Sequence, residues 1–171
     1  MCSKKTYSTL LMANCRLSFL LFAFSGSFLY SCTTLDFTEV SANIPQKKWD
    51  SKQKHELLFT LIDTTVSYEL FLVLRHNEAY RFNNIWIQLT IQQPNNQIEN
   101  YRIEKILASN EMGWLGSGLS DIYEHRIPLA LPNFLFKQKG RYKIVMEQIM
   151  REDPLQNIIS AGLRLEKKSN S

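Results

Sequence analysis

Ser117, Asp121 and His125 bring a hydroxyl, a carboxylate and an imidazole within nine positions of the chain. These are the groups of a hydrolase triad, whose serine lies on a strand-to-helix turn with glycine two residues before and two residues after it. Leu115 and Leu119 occupy those two positions here. On a strand, Asp121 and His125 would lie about 13 Å apart, too far for a direct hydrogen bond. We therefore predict a structural or interfacial segment, and no enzyme.

The same segment carries three closely spaced glycines, Gly113, Gly116 and Gly118. No Lys-Ser or Lys-Thr pair follows them and no strand-helix-strand unit surrounds them, so a phosphate loop or dinucleotide fingerprint is not indicated. Glycine permits positive φ and close approach of backbone segments. We predict an ordered corner loop from which Trp114 and Leu115 project or beneath which they pack.

Metal chemistry has little support in the sequence. His55, His76 and His125 are far apart, and their spacing is not that of a zinc site. No loop has the dense acidic spacing of a calcium site. We predict no metal and no cofactor.

Cys32 is the residue with the clearest chemical role. The apolar stretch 17–30 follows basic residues and is shorter than the roughly 20 residues of a membrane-spanning helix, which is typical of a signal peptide. Leu29 and Ser31 fit a lipobox, although Tyr30 is bulkier than usual. We predict cleavage before Cys32 and lipidation of its thiol, which would anchor the protein to a membrane. An uncleaved anchor helix or an ordinary secretory signal is the alternative.

Removal of this leader changes the composition. The other two cysteines and three basic residues are lost with it, so the remaining chain has no free thiol for a disulfide and one more basic than acidic residue. A nearly neutral chain without a basic face does not indicate nucleic-acid binding. We predict a signal peptide at residues 1–31, a lipidated cysteine and tether at 32–48, and a single domain with a short C-terminal tail at 49–171.

Alternating apolar and polar residues dominate that domain. Residues 83–92 alternate cleanly and, after a turn, residues 98–107 continue the alternation, which predicts a hairpin. The apolar runs 56–62 and 68–75 also predict a hairpin. Few segments have helical periodicity. We predict an all-β fold, an antiparallel β-sandwich that is jelly-roll-like or Ig-like.

Several segments of the chain, taken together, are similar to the motifs of a known family. They are Cys32 with its lipobox, 63–65 followed by 68–77, the 113–122 element Gly-Trp-Leu-Gly-Ser-Gly-Leu-Ser-Asp-Ile, 142–151, and 162–167. This set resembles the GldH family of gliding-motility-associated lipoproteins from Bacteroidetes.

The resemblance implies a small lipid-anchored envelope protein that is needed for gliding in motile members and is tied to the apparatus that secretes and moves surface adhesins. Its expected location is the outer membrane, facing the periplasm, with other envelope or motility proteins as partners. The resemblance implies no enzyme, and only Cys32 carries over as a functional position.

The glycine-rich segment is the best candidate for partner contacts, because an aromatic anchor beside polar residues is typical of protein interfaces. The candidate interaction residues are Trp114, Leu115, Gly116, Ser117, Gly118 and Asp121. The alternative function is a surface carbohydrate-binding module. Trp86, on the more polar face of its strand, is the hint in that direction, since sandwich faces can carry sugar-stacking aromatics.

Overall fold

A computed structural model describes residues 37–132 and 134–168 of the protein. The predicted all-β fold is confirmed: antiparallel sheets pack face to face as a β-sandwich. In this part of the chain no helix is long and apolar enough to span a membrane. The predicted signal peptide and Cys32 lie outside the described residues.

The strands are short and separated by turns. Those of the larger sheets are β1 (Phe37–Asn43), β3 (His55–Leu61), β4 (Tyr68–Asn77), β5 (Asn84–Gln92), β6 (Ile98–Ile106), β9 (Ser117–Leu119), β10 (Ile122–Pro128), β11 (Gly140–Gln148) and β13 (Ile158–Lys167). The two-residue strands are β2 (Lys48–Trp49), β7 (Ala108–Ser109), β8 (Gly113–Trp114) and β12 (Leu155–Gln156).

Two sheets form the sandwich. One has five strands in the order β1-β13-β4-β10-β9, and the other has four in the order β3-β11-β5-β6. Two small ladders, β2 with β12 and β7 with β8, are separate from these two sheets. The strands β9 and β6 are therefore edges, and β9 belongs to the glycine-rich segment.

Strand alternation builds the core. In β5 the isoleucine and leucine side chains point inward and are fully buried, while the residues between them are half-buried on the outer face. The buried set is Ile85, Ile87, Leu89 and Ile91. In β11, Tyr142, Ile144 and Met146 are fully buried, since alternate side chains of a strand point to the same face.

One of the two predicted hairpins is confirmed and the other is wrong. Strands β5 and β6 pair across the turn at residues 93–97. The runs 56–62 and 68–75 become β3 and β4, which lie in different sheets: β3 pairs with β11, whereas β4 lies between β13 and β10. The segment between β3 and β4 therefore crosses from one sheet to the other, because both strands bury apolar faces in the same core.

Part of the segment predicted as a tether, residues 32–48, is described and folded. β1 pairs with β13 along its whole length, from Phe37 opposite Glu166 to Asn43 opposite Ser160. Trp49, which follows, is fully buried and donates its indole N–H to the Gln53 carbonyl at 3.1 Å. This tryptophan is a core residue.

Candidate functional site

The glycine loop, residues 113–122, is held by strand pairing at the edge of the five-stranded sheet. It starts in β8, passes through β9 and turns back into β10, with Leu119 opposite Ile122. Ser120 takes a φ of 58° in that turn. At the other end, the Leu115 amide donates to the Leu107 carbonyl at 2.8 Å. The loop therefore has a defined backbone at both ends.

Gly116 allows the loop to lie directly on the neighbouring strand. A Cβ atom at this position would be 2.5 Å from the carbonyl oxygen of Glu124 and 3.0 Å from the ring of His125. Any other residue would have to push the loop away from β10. Gly113 is needed for a different reason, because its φ is 68° although the space around it is open.

Trp114 packs beneath the loop. Its half-buried indole lies 4.3 Å from the His76 ring centroid, 5.8 Å from that of Tyr123 and 6.1 Å from that of Tyr80. The sequence leaves open whether this side chain projects or packs inward, and in the structure it packs against the buried rings of His76 and Tyr80 and the half-buried ring of Tyr123. Trp114 thus attaches the loop to the body of the sandwich.

The rings below Trp114 include two histidines in direct contact. His76 on β4 and His125 on β10 are almost completely buried, with 0% and 2% of their surfaces exposed. They are diagonal neighbours on the inner face of the sheet, since Tyr123 lies opposite His76 and His125 opposite Leu74. Their Nε2 atoms are 2.9 Å apart, and the stacked rings have centroids 5.0 Å apart.

The hydrogen-bond partners determine where the protons of this histidine pair lie. His76 Nδ1 is 2.8 Å from the carbonyl oxygen of Asn77, which can only accept, so Nδ1 carries a proton and donates it. In a neutral His76 the Nε2 atom is then an acceptor. His125 Nε2–H must therefore be the donor of the bond between the two rings.

Burial keeps the histidine pair uncharged. It lowers the pKa of His76, partly opposed by the bond to the Asn77 carbonyl. Burial, and next the proximity of His76, lowers the pKa of His125 to about 4. Both rings are neutral at neutral pH, because a proton on either would place a charge in a site closed by aromatic rings.

The structure does not assemble Ser117, Asp121 and His125 into a triad. Ser117 is exposed on β9, opposite Glu124, and the carbonyl of Asp121 accepts a 2.7 Å bond from the Glu78 amide. Within residues 37–132 and 134–168, no hydrogen bond joins Ser117 or Asp121 to His125. The Nε2 atom of His125 is already bonded to His76.

The outward side of the glycine loop is apolar. Leu115 is 46% exposed, Leu119 83% and Ile122 39%. Ser117, Gly118 and Asp121 are exposed beside them. The predicted interaction residues thus divide into an exposed set, Gly116, which lies against β10, and Trp114, which supports the loop from below.

The residue that sequence reasoning missed is His76. It lies 49 positions before His125, so no spacing motif connects them, and only the pairing of β4 with β10 brings them together. Two imidazoles alone do not make a metal centre. Among the residues that the structure describes, no group of three or more His, Cys, Asp or Glu side chains could hold a metal ion.

Residues 36–165, which include the whole loop and the histidine pair, match the GldH lipoprotein family. The chain belongs to the GldH lipoprotein family. A gliding motility lipoprotein GldH homolog of Christiangramia forsetii is 30% identical over 116 residues, which cover 64% of this chain and 71% of that protein. The gliding motility lipoprotein GldH of Flavobacterium johnsoniae is 30% identical over 115 residues, covering 63% and 70%.

Solved structures add no functional argument to this family assignment. A fructofuranosidase of Schwanniomyces occidentalis superposes over 82% of this chain and 35% of that one, with 12% identity and a TM-score of 0.34. That score is too low to support any inference, so the GldH assignment depends on the sequence matches alone.

Proposed function

We propose that the protein is a non-enzymatic, lipid-anchored component of the cell envelope that contacts the gliding or adhesin-secretion machinery through its glycine loop. Membership of a lipoprotein family supports the anchor. The names of the two relatives, both gliding motility lipoproteins, support the process. The anchor position is Cys32, and the membrane is the outer membrane, with the domain facing the periplasm.

One observation carries the proposed contact site: the glycine loop presents three exposed apolar side chains on a fixed backbone. Exposed apolar side chains rimmed by polar residues are typical of protein interaction sites. Trp114 and the histidine pair hold the loop from the inside, so little conformational entropy would be lost when a partner binds. The partner would cover Leu115, Leu119 and Ile122.

The buried side of the loop supports a non-enzymatic role. A general base needs a free imidazole nitrogen within reach of a nucleophile. His125 is almost completely buried with its Nε2–H donated to His76, whereas Ser117 lies on the exposed edge strand and shares no hydrogen bond with His125 among the described residues. The two histidines serve the packing of the loop.

The test is crosslinked capture of the full-length, lipidated protein from gently solubilised envelopes of the producing cells. The decisive variant carries Leu115→Ser, Leu119→Ser and Ile122→Ser. Exposed substitutions change stability by about 0.5 kcal/mol or less each, so folding should be kept. We expect recovery of motility or secretion proteins with the unchanged chain and their loss with this variant.

A matched control changes three exposed apolar residues of the four-stranded sheet, Leu58→Ser, Ile98→Ser and Ile106→Ser, which are 45%, 60% and 51% exposed. This control should capture the same proteins as the unchanged chain. Equal capture by the loop variant would refute the contact site. A Cys32→Ala version should lose both the membrane attachment and the partners.

A further inference from the structure

A second candidate site lies on the outer face of the four-stranded sheet. A cleft of about 470 Å³ opens there, at the point where the chain leaves the end of β11. Its main lining residues are Phe82, Asn84, Trp86, Arg102, Met150 and Arg151. The volume is within the range of about 300 to 1,000 Å³ that is usual for small-ligand sites.

Backbone bonds fix the wall of this cleft. β11 ends at Gln148, and the next residue, Ile149, still donates its amide to the Trp86 carbonyl at 3.0 Å. The Trp86 amide then donates to the thioether sulfur of Met150 at 3.2 Å, where a continuing strand would have supplied a carbonyl. These bonds hold the backbone of Trp86 and the side chain of Met150 in place without any ligand.

Trp86 supplies an accessible aromatic surface. The alternation of β5 buries Ile85 and Ile87 and directs Trp86 outward, where it is half-buried. The guanidinium carbon of Arg102 lies 5.4 Å from the centroid of the Trp86 ring, a cation–π distance. Phe82 adds a second half-buried ring to the wall.

The lining is positively charged. Arg102 and Arg151 are both exposed, and within residues 37–132 and 134–168 neither has a carboxylate partner. Two acids adjoin lining residues, Glu104 opposite Trp86 in the strand register and Glu152 next to Arg151 in the sequence, and each is bonded to another side chain. Glu104 accepts from the Asn84 amide nitrogen at 2.5 Å, and Glu152 pairs with another arginine.

We propose that this cleft binds an acidic saccharide, with a hexuronate residue as the recognised unit. A guanidinium group matches the two oxygens of a carboxylate. The apolar face of a pyranose ring packs on an indole, and the Asn84 side-chain carbonyl oxygen, whose amide nitrogen is bonded to Glu104, can accept a hydrogen bond from a hydroxyl. A bare phosphate would leave the indole unused, and a neutral sugar would leave both guanidinium groups without a counter-charge. This site is independent of the proposed loop contacts.

The test is titration calorimetry of the full-length, lipidated protein in a non-ionic detergent with trigalacturonate. The matched ligand is the fully methyl-esterified trisaccharide, which keeps the rings and loses the charges. We expect the acid to bind and the ester to bind at least tenfold more weakly. Arg102→Gln should weaken binding of the acid by about tenfold, and binding should weaken further as salt is added.

Arg141→Gln is the control variant, because Arg141 is an exposed arginine of the same sheet outside the cleft lining. It should bind the acid as the unchanged protein does, and thermal unfolding should show that both variants are folded. Equal binding of acid and ester, equal losses in the two variants, or no binding of trigalacturonate would overturn the proposal. Hexaglutamate bound as tightly as the saccharide would also overturn it, by showing general anion binding.

Discussion

Two tryptophans of this sandwich have opposite environments. Trp114 belongs to a recognisable motif and packs over the histidine pair, with its ring 4.3 Å from that of His76. Trp86 belongs to an ordinary alternating strand and lies on the outer face, beside Arg102 and an open cleft. The motif tryptophan is thus an internal support, and the strand tryptophan is the one available to a ligand.

This difference separates the stability of the protein from its surface chemistry. The glycine loop needs Trp114, Gly116 and the histidine pair in order to hold its shape, and its contacts would be made by the leucines on the other side. The cleft forms where β11 ends, beside the outward-facing Trp86. Substitutions of Trp114, Gly116 or the histidine pair should therefore affect folding, whereas substitutions of the exposed loop residues or of the cleft lining should affect binding.

The largest expected effect is a difference in the free energy of unfolding between the Trp114→Ala and Trp86→Ala variants. Trp114→Ala removes an indole that covers His76, Tyr80 and Tyr123, and it should lower the free energy of unfolding by about 3 kcal/mol. Trp86→Ala removes an outer-face ring and should cost about 1 kcal/mol or less. Urea unfolding of both variants measures the contrast. Equal losses of unfolding free energy would show that the two tryptophans do not differ in their contribution to stability.

The second prediction concerns the stability of the protein at low pH. The folded-state pKa of His76 and of His125 is lowered, to about 4 for His125, whereas an unfolded histidine has its ordinary pKa of about 6.5. Between these two values the unfolded state binds more protons, so stability is complete above about pH 6.5 and falls as the pH is lowered towards 4. We expect the histidine pair to lower the free energy of unfolding by on the order of 2 kcal/mol over this range. Urea unfolding at pH 7, 5.5 and 4.5 measures the effect.

Replacement of the pair tests the source of that loss. A chain with both His76→Phe and His125→Phe keeps the aromatic packing and should be much less sensitive over this pH range. A smaller slope should remain, because burial also lowers the pKa of His55. If the double variant loses stability as steeply as the unchanged chain, the histidine pair is not the acid-sensitive element.

The third prediction compares two glycines of the loop. Gly116→Ala places a methyl group 2.5 Å from the Glu124 carbonyl oxygen, so β9 must move, and we expect a loss of about 1 to 2 kcal/mol. Gly113→Ala meets no atom within 4 Å and has only the strain of its positive φ, about 1 kcal/mol. Amide exchange of residues 117–119 should accelerate in Gly116→Ala only. Acceleration in both variants would mean that the loop is not held against β10.

The alternation of apolar and polar residues in the sequence is sufficient to predict much of the fold. The all-β class, the β5–β6 hairpin and the inward residues of β11 follow from local periodicity. The pairing of β3 could not be predicted in this way, because adjacent apolar runs look the same whether they pair with each other or face each other across the core. Global packing decides between those arrangements.

The site was predictable only in part. The glycines and Leu115 could be predicted from residues 113–122, whereas nothing in the sequence singles out Leu119 and Ile122 as exposed contact residues. The role of Trp114 depends on His76, Tyr80 and Tyr123, which come from distant positions in the chain. The cleft beside Trp86 depends on where β11 ends and on residues from distant positions that line it, which the alternation of the sequence does not indicate.

The most direct test of the account is site-specific photocrosslinking in intact cells. A photoreactive residue is placed at Leu119, which is 83% exposed on the glycine loop, or at Ile98, which is 60% exposed on the edge of the other sheet. We predict crosslinks to motility or secretion proteins from position 119 and none of these from position 98. The same crosslinks from both positions, or from position 98 alone, would contradict the proposal that the glycine loop is the contact surface.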